Sequence, residues 1–184
     1  LFTAREDAKS QVCVAPLKIP EDILTAKLAE KSPLISPAEF AIDIESSEKL
    51  LKKICNIAEK ANASLAVSAQ RILKAADGQI DMKRLFSGLF SEYDTFFETA
   101  ARELAIEKDI LGFFVYNSIL PSLSSCAEQL SVCLKQEAEK GYCPICGSPP
   151  GLAVFQDQGD RFLFCSLCGY KWSARRIYCP FCDN

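Results

Sequence analysis

The first 140 residues repeat apolar side chains every three or four positions, which is the spacing of amphipathic α-helices. Pro16 and Pro20, set among mixed charges, predict an extended leader before the first helix. Pro121 interrupts the most apolar segment, so that segment is either one bent helix or two helices meeting near Leu120. The pattern predicts helices over residues 21–31, 37–61 (broken near Ser46 and Ser47), 62–76, 79–92, 94–106 and 108–139.

Local start and stop residues support these helices. Ser36, Pro37 and Glu39 form a start, with serine as the cap and proline at the first helical position. Asp77 and Gly78 end the helix that precedes them. Phenylalanines recur on the apolar faces of the later helices, and this spacing is more typical of a helix–helix core than of a cofactor pocket.

The helical spacing of apolar residues ends near residue 140. Short apolar runs around glycine and turn-prone residues predict a small antiparallel sheet, with strands over residues 152–155, 161–164 and 170–177. The fold class is therefore α+β, a helical N-terminal domain followed by a small β module of the rubredoxin-like or zinc-ribbon type. The predicted division is an extended leader over residues 1–20, an all-helical domain over 21–140 and a metal-binding domain over 141–184.

Three Cys-x-x-Cys pairs fall in the last segment: Cys143/Cys146, Cys165/Cys168 and Cys179/Cys182. Eighteen residues lie between the first and second pairs, and ten lie between the second and third. The first two pairs match the spacing of a four-thiolate metal site, in which each sulfur lies ~2.3 Å from the ion. The sequence predicts one metal ion, rather than two disulfides, on Cys143, Cys146, Cys165 and Cys168.

The residues beside these pairs suit a metal site. Pro144 presets φ after the first cysteine, and Gly147 and Gly169 permit a positive φ where the chain turns sharply. The sequence contains no histidine, which excludes cysteine–histidine sites and histidine-based catalysis. A closed four-thiolate site suits zinc or rubredoxin-like iron and leaves no position for a substrate, which argues against catalysis at the metal.

The third pair, Cys179 and Cys182, has no fourth pair to join it within the sequence. Three interpretations are open: a fourth pair beyond Asn184 in a longer parent protein, a second chain that completes the site, or a redox-active dithiol. The recurring Cys-Pro-x-Cys form favours the first, which makes the pair half of a truncated second site. A start at Leu1 fits a piece of a longer chain. The other cysteines are expected to be plain thiols, at least partly buried: Cys13, Cys55, Cys126 and Cys133.

Composition further narrows the class of protein. The net charge is −3 and the pI about 5.2, which argues against a general nucleic-acid binder. No apolar run reaches the length of a membrane span, and no secretory segment is present, so neither a membrane span nor export is expected. Ten cysteines, six of them in Cys-x-x-Cys pairs, predict a reducing cytoplasm rather than a disulfide scaffold.

A basic cluster follows the second pair. Arg175 and Arg176, with Trp172 nearby, would suit a nucleic-acid strip. Residues 141–184, however, carry four Lys or Arg against three Asp or Glu, a net of +1 that is too small for phosphate-driven binding. We interpret the cluster as counter-charge to the thiolates or as a protein contact. Trp172, Arg175 and Arg176 are the candidate partner-binding residues, and we expect them on an exposed strand.

At these residues the chain resembles the formate dehydrogenase accessory protein FdhE family. The resemblance is strongest from about residue 110 onward. It is carried by Ile119-Leu120-Pro121-Ser122-Leu123, by Gly141-Tyr142-Cys143-Pro144-Ile145-Cys146-Gly147-Ser148-Pro149-Pro150, by Cys165-Ser166-Leu167-Cys168-Gly169, and by Trp172 and Arg176.

The resemblance implies a helical domain joined to two rubredoxin-like metal modules. It also implies a cytoplasmic, non-catalytic protein that binds the catalytic subunit of formate dehydrogenase and is needed for its activity. The family's first three cysteine pairs fall on the three pairs of this chain. Two features depart from the family: its fourth pair is absent, and Ser173 stands where members often have histidine.

Two other functions compete with this one. The first is a nucleic-acid-binding zinc ribbon, which strong salt-dependent binding to DNA or RNA would support. The second is a thiol-redox or electron-transfer protein, since rubredoxin-like iron can cycle by one electron and Cys179 with Cys182 can act as a dithiol. The sequence alone does not choose between zinc and iron, because both accept four thiolates.

Overall fold

The computed structural model describes residues 1–61, 63–90, 95–134, 141–156, 159–177, 179 and 182. In this part of the chain the helices are α1 Phe2–Lys9, α2 Glu21–Ala29, α3 Ile44–Ala61, α4 Ala63–Ala76, α5 Met82–Gly88, α6 Thr95–Glu103 and α7 Lys108–Ser131. A single 3-10 turn, Pro37–Glu39, lies between α2 and α3. With the small sheet described below, these helices confirm the α+β fold class.

Backbone contacts divide the chain into two compact units. The first comprises Leu1–Val14 and Ile42–Ser122, and the second comprises Ala15–Ala41 and Leu123–Asn184. The cysteine pairs therefore share a unit with α2 and with the end of α7, as well as with the sheet. The three-part division drawn from composition stays a prediction.

In the first unit, α3 is the central helix. Helices α1, α4 and α5 pack against it, and α6 packs against α5. The apolar faces predicted from helical spacing form the interior, where Phe86, Phe97 and Phe114 are all buried. These aromatic residues fill a helix–helix core, as predicted.

Two helix predictions need correction. Residues 2–9 form α1, whereas the sequence predicted an extended leader over residues 1–20. The predicted helix over residues 37–61 is interrupted before Ile44, and not near Ser46 and Ser47. The physical reason lies at Asp43, whose carboxylate accepts hydrogen bonds from the backbone N–H of Ser46 at 3.0 Å and from its hydroxyl at 2.7 Å. Asp43 thus caps a new helix.

Helix α7 continues through Pro121 as one helix. Its length and apolar composition would let it cross a membrane, but 61% of its most apolar 18-residue window is buried inside the structure. Leu111, Phe114 and Ile119 are completely buried. This degree of burial is that of a core helix in a globular protein. Residues 135–139, where the sequence predicted further helix, lie outside the described residues.

The sheet belongs to the second unit. Its strands are β1 Pro150–Phe155, β2 Arg161–Cys165 and β3 Lys171–Ala174, all antiparallel and in the order β1-β2-β3. The first two match the predicted strands closely, whereas the third ends at Ala174 and not at Ile177. Leu163 pairs with Ala153 on one side and Trp172 on the other. Leu163 and Trp172 are buried, whereas Ala153 on the edge strand is exposed.

We expect Asp43→Ala to lower the free energy of unfolding by about 1 kcal/mol, the usual contribution of a helix cap. Burial opposes ionisation, but hydrogen bonds from Cys13 and Ser46 outweigh it and lower the pKa of Asp43. A carboxyl with a lowered folded pKa stabilises the fold above its unfolded pKa, and this stability is lost as the pH falls through the folded value. The difference in free energy of unfolding between Asp43→Ala and wild type should therefore be smaller near pH 3 than at pH 7, and urea unfolding at the two pH values measures it.

The exposed Glu6→Ala variant is the matched control, because it removes a carboxylate from α1 without removing a cap. A difference for Asp43→Ala no larger than that for Glu6→Ala would contradict the capping role.

Candidate metal centre

The sulfurs of Cys143, Cys146, Cys165 and Cys168 all lie within 4.8 Å of one another. The sulfur–sulfur distances are 3.7 Å for Cys143–Cys168, 3.5 Å for Cys146–Cys165 and 3.8 Å for Cys146–Cys168. Four sulfurs bound tetrahedrally at 2.3 Å would be separated by about 3.8 Å. Because the observed spacing matches a tetrahedron of this size, and far exceeds the length of a disulfide bond, the cluster can hold one metal ion.

The two cysteine pairs lie on loops of the same design. In the first loop the N–H of Gly147 donates to the carbonyl of Cys143 at 2.8 Å, and the N–H of Cys143 donates to Ser148 at 2.9 Å. In the second loop the corresponding bonds join Gly169 to Cys165 at 3.3 Å and Cys165 to Tyr170 at 2.9 Å. The repeated pattern turns both sulfurs of each pair toward one point.

A positive φ is required at both glycines. Gly147 has a φ of 77° and Gly169 a φ of 73°, as predicted from their positions after the second cysteine of each pair. The two sites differ in the space beside them. A Cβ at residue 147 would lie 3.0 Å from the side chain of Pro33, whereas at residue 169 the nearest atom would be Ser124 Oγ at 3.6 Å.

Hydrogen bonding within the cluster separates the four thiols into two kinds. Hydrogen bonding with Cys143 lowers the pKa of the Cys146 thiol and that of the Cys165 thiol. The Sγ of Cys165 also accepts the N–H groups of Leu167 at 3.3 Å and Cys168 at 3.4 Å, which further stabilise a thiolate. Conversely, hydrogen bonding with Cys146 raises the pKa of Cys143, and hydrogen bonding with Cys143 raises that of Cys168.

Since metal ligands must be thiolates, metal binding would release protons from the cluster. All four cysteines are buried, with exposed fractions of 0% for Cys143 and Cys168, 3% for Cys146 and 5% for Cys165. The arrangement is that of a closed, structural type of site, in which the protein supplies every ligand.

A segment distant in sequence holds the first loop. The N–H groups of Leu34 and Ile35 donate to the carbonyls of Pro144 at 3.1 Å and Ile145 at 2.9 Å. Both side chains of this segment are buried, at 1% and 4% exposed. The hydroxyl of Tyr142 donates to the carbonyl of Lys31 at 3.1 Å. Residues 31–35 thus form a strap along the first cysteine loop, and we use this name for them below.

The second loop is held from α7. The hydroxyl of Ser124 donates to the carbonyl of Cys168 at 3.1 Å. Neither Ser124 nor the strap was among the site residues expected from sequence. Pro33 in the strap lies between the predicted helices over residues 21–31 and 37–61, where the sequence predicted no element. The one available sequence feature was the apolar pair Leu34-Ile35 between two prolines, which is unusual for a solvent-exposed linker.

The remaining cysteines lie apart from the four-sulfur cluster. Among the described residues, the cluster does not include Cys179 or Cys182, so the completion of the third pair stays a prediction. Cys55 is buried, and burial raises the pKa of its thiol to about 12. Burial likewise raises the pKa of Cys126, which donates to the carbonyl of Ala41 at 3.4 Å. Such thiols are poor nucleophiles near neutral pH.

The candidate partner-binding residues differ in exposure. Arg175 and Arg176 are exposed, as a surface contact requires. Trp172, expected on an exposed strand, is instead 4% exposed. Its indole lies on the same face of the sheet as Leu163, so that burial of a large aromatic surface stabilises this small module. The expectation that Trp172 is exposed is therefore wrong.

The fold and the cluster define an α+β protein with a four-cysteine metal-binding module near its C-terminus. The family model for the central domain of FdhE matches residues 142–176. An FdhE homolog from Aquifex aeolicus is 37% identical over 89 residues, which cover 45% of this chain and 30% of the relative. One from Haemophilus ducreyi is 27% identical over 177 residues, covering 92% of this chain and 54% of the relative.

The crystal structure of the FdhE protein from Pseudomonas aeruginosa has the same fold. It superimposes with a TM-score of 0.56 at 22% identity, over 99% of this chain and 60% of the other. The chain is therefore similar to FdhE proteins in its cysteine module and in its fold. It spans about half the length of the Haemophilus ducreyi relative.

We expect Cys143→Ser to lose the metal ion and Cys13→Ser to keep it. Cys143 is one of four sulfurs that a single ion would need, whereas Cys13 is exposed and lies outside the cluster. Elemental analysis of freshly purified protein measures the metal per chain. Equal metal content in the two variants would contradict the assignment of the site.

Removal of the metal should also release the strap. Without an ion the first loop loses its anchor, so the amides of Leu34 and Ile35 should exchange hydrogen at rates close to those of an unstructured chain. Hydrogen exchange before and after chelation measures this directly. Amides in the core of α3 serve as the internal control. Unchanged protection of the strap would show that it is held independently of the metal.

Alanine at the two glycines should destabilise the module to different extents. Gly169→Ala should cost about 1–2 kcal/mol for a left-handed alanine. Gly147→Ala should cost more, because its Cβ would also press on Pro33. Gly112→Ala is the control: it lies in α7 with nothing within 4 Å of an added Cβ, so it should raise stability by roughly 0.5–1 kcal/mol. Urea unfolding of the metal-loaded protein ranks the three, and an equal cost at residues 147 and 169 would contradict the contact with Pro33.

Proposed function

We propose that this chain is the metal-binding part of a non-catalytic accessory protein that binds the catalytic subunit of formate dehydrogenase and is needed for its activity. Similarity to FdhE proteins supports this role. The closed cluster supports the absence of catalysis in this proposal. The four buried cysteines supply four ligands for one ion, and so leave no position for a substrate.

The metal has a structural role in this proposal. Zinc or iron would fit the four thiolates equally well, one ion per cluster. The bound ion would fix the two cysteine loops, and through them the sheet and the strap. Cys179 and Cys182 would provide half of a second site of the same kind. The proposed compartment is the cytoplasm, where thiols stay reduced and available to metals.

Arg175 and Arg176 are proposed to contact the catalytic subunit. Both are exposed and follow β3 directly. Residues 141–184 carry a net of +1 in a chain whose total is −3, so positive charge is concentrated near the metal module. Exposed cations of this kind change the rate of association and its dependence on salt more than they change the stability of the fold.

The test is binding of the metal-loaded chain to the purified catalytic subunit. The double variant Arg175→Ala/Arg176→Ala should weaken binding by about tenfold or less and reduce its salt dependence, as expected for charges at the rim of an interface. Biolayer interferometry at several salt concentrations measures both quantities. The chain alone should not oxidise formate with an artificial electron acceptor.

Lys83→Glu is the control, because Lys83 is exposed on α5 and belongs to the other compact unit. No binding by the wild-type chain would refute the accessory role for this part of the protein. Wild-type binding that the arginine variant leaves unchanged would refute only the contact at Arg175 and Arg176.

A further inference from the structure

Ser148, the residue that follows Gly147 in the first cysteine loop, places its hydroxyl beside the metal cluster. The hydroxyl oxygen lies 3.5 Å from the Sγ of Cys146, within hydrogen-bonding distance of sulfur. Ser148 is not one of the four sulfur ligands, and its side chain was not among the site residues expected from sequence. The residue is half-buried, so water competes with this contact less than it would on an exposed surface.

The backbone holds Ser148 in place from both sides. Gly147, with its positive φ of 77°, turns the chain immediately before it. The carbonyl of Ser148 accepts the N–H of Cys143 at 2.9 Å. Pro149 follows, and a residue before proline is restricted to extended backbone. The carbonyl of Pro149 in turn accepts the N–H of Ser166 at 3.1 Å, so the short side chain of Ser148 stays next to the cluster.

The second cysteine loop shows that closing such a loop does not require this hydroxyl. Tyr170 occupies the corresponding position there, and its carbonyl accepts the N–H of Cys165 at 2.9 Å. The backbone pattern is therefore the same in both loops, although the side chains at this position differ. The contact between the Ser148 hydroxyl and the sulfur of Cys146 is additional to loop closure.

The charge of a metal-bound cluster makes this contact important. A divalent ion held by four thiolates has a formal charge of about −2, and a buried charge is costly unless it is hydrogen-bonded. On the second loop the Sγ of Cys165 accepts the N–H groups of Leu167 at 3.3 Å and Cys168 at 3.4 Å. A metal-bound Cys146 is a thiolate without a proton, so the hydroxyl of Ser148 is the donor in that state.

We propose that Ser148 is a positioning residue of the metal centre, whose hydroxyl donates a hydrogen bond to the metal-bound thiolate of Cys146. This bond would strengthen metal binding, as donors to metal ligands commonly do. It would also withdraw electron density from the sulfur. Since the reduced form of an iron site is the more negative one, the bond would stabilise that form and raise the reduction potential. The inference goes beyond the proposed function, because it concerns the ion and not the client.

The experiment compares wild type, Ser148→Ala and Ser148→Thr, each as the whole chain loaded with metal. Alanine removes the hydroxyl and leaves the carbonyl that closes the loop. Threonine restores a hydroxyl on the same carbon and is compatible with extended backbone. Competition with a chromophoric chelator should show zinc affinity about tenfold weaker for the alanine variant. The affinity of the threonine variant should be close to that of wild type.

Two further measurements report the electron density at the sulfur, which a merely structural role would not change. With cobalt(II) in the site, the sulfur-to-metal charge-transfer band of Ser148→Ala should move to longer wavelength. With iron in the site, voltammetry should give this variant a lower reduction potential than wild type. Threonine at the same position should return both values toward those of wild type.

Ser124→Ala is the matched control. It also removes a serine hydroxyl beside a cysteine loop, but that hydroxyl donates to the carbonyl of Cys168 at 3.1 Å and not to a sulfur. This variant should keep the charge-transfer band and the reduction potential of wild type. A shift as large as that of Ser148→Ala would mean that loosening either loop alters the cluster, and would overturn the role of Ser148.

The amide of Cys143 shows whether the first loop survives the substitutions, because it donates to the carbonyl of residue 148. Retained protection of this amide from hydrogen exchange, together with a shifted band and potential in Ser148→Ala, would support the proposal. An unchanged band and potential in that variant would refute it, and so would a threonine variant that behaves like the alanine variant. The catalytic subunit is absent from every arm, so the result is independent of the accessory role.

Discussion

The convergence of four sulfurs on one point is the constraint on which the cysteine module depends. The sheet buries few side chains, Leu163 and Trp172 among them, and that is a small core for a sheet. The two cysteine loops stand at one end of this sheet, where Pro150 pairs with Cys165, and each needs a glycine with positive φ to close. Since four thiolates repel one another without a cation, the ion and the loop geometry stabilise each other.

Sequence reasoning succeeded where one short-range rule decided the outcome. The loops around Gly147 and Gly169 follow from the Cys-x-x-Cys-Gly pattern, because both the sulfur geometry and the positive φ are local requirements. The α+β class and the first two strands were predictable for the same reason. The interruption of the predicted helix over residues 37–61 also has a local cause, because Asp43 caps α3 through the N–H of Ser46, three residues later. The sequence analysis instead placed this interruption at the serines themselves.

Features that depend on distant contacts could not be predicted in this way. Residues 32–35 carry no predicted element, yet the strap bonds to the first cysteine loop across more than a hundred residues. Trp172 was placed on an exposed strand together with Arg175 and Arg176. Alternation along a strand states which residues share a face, but not which of the two faces is covered. The pairing of Trp172 with the buried Leu163 identifies the covered face.

The strap has a consequence for the order in which the protein is made. Lys31 and Tyr142, which it joins, are 111 residues apart, so the ribosome completes the whole of residues 42–122 before the strap's partner is synthesised. The first compact unit can fold during translation, whereas the second must wait for its last cysteines. Metal capture would then be a late step, and a shortage of metal would leave a folded first unit beside an unfinished second one.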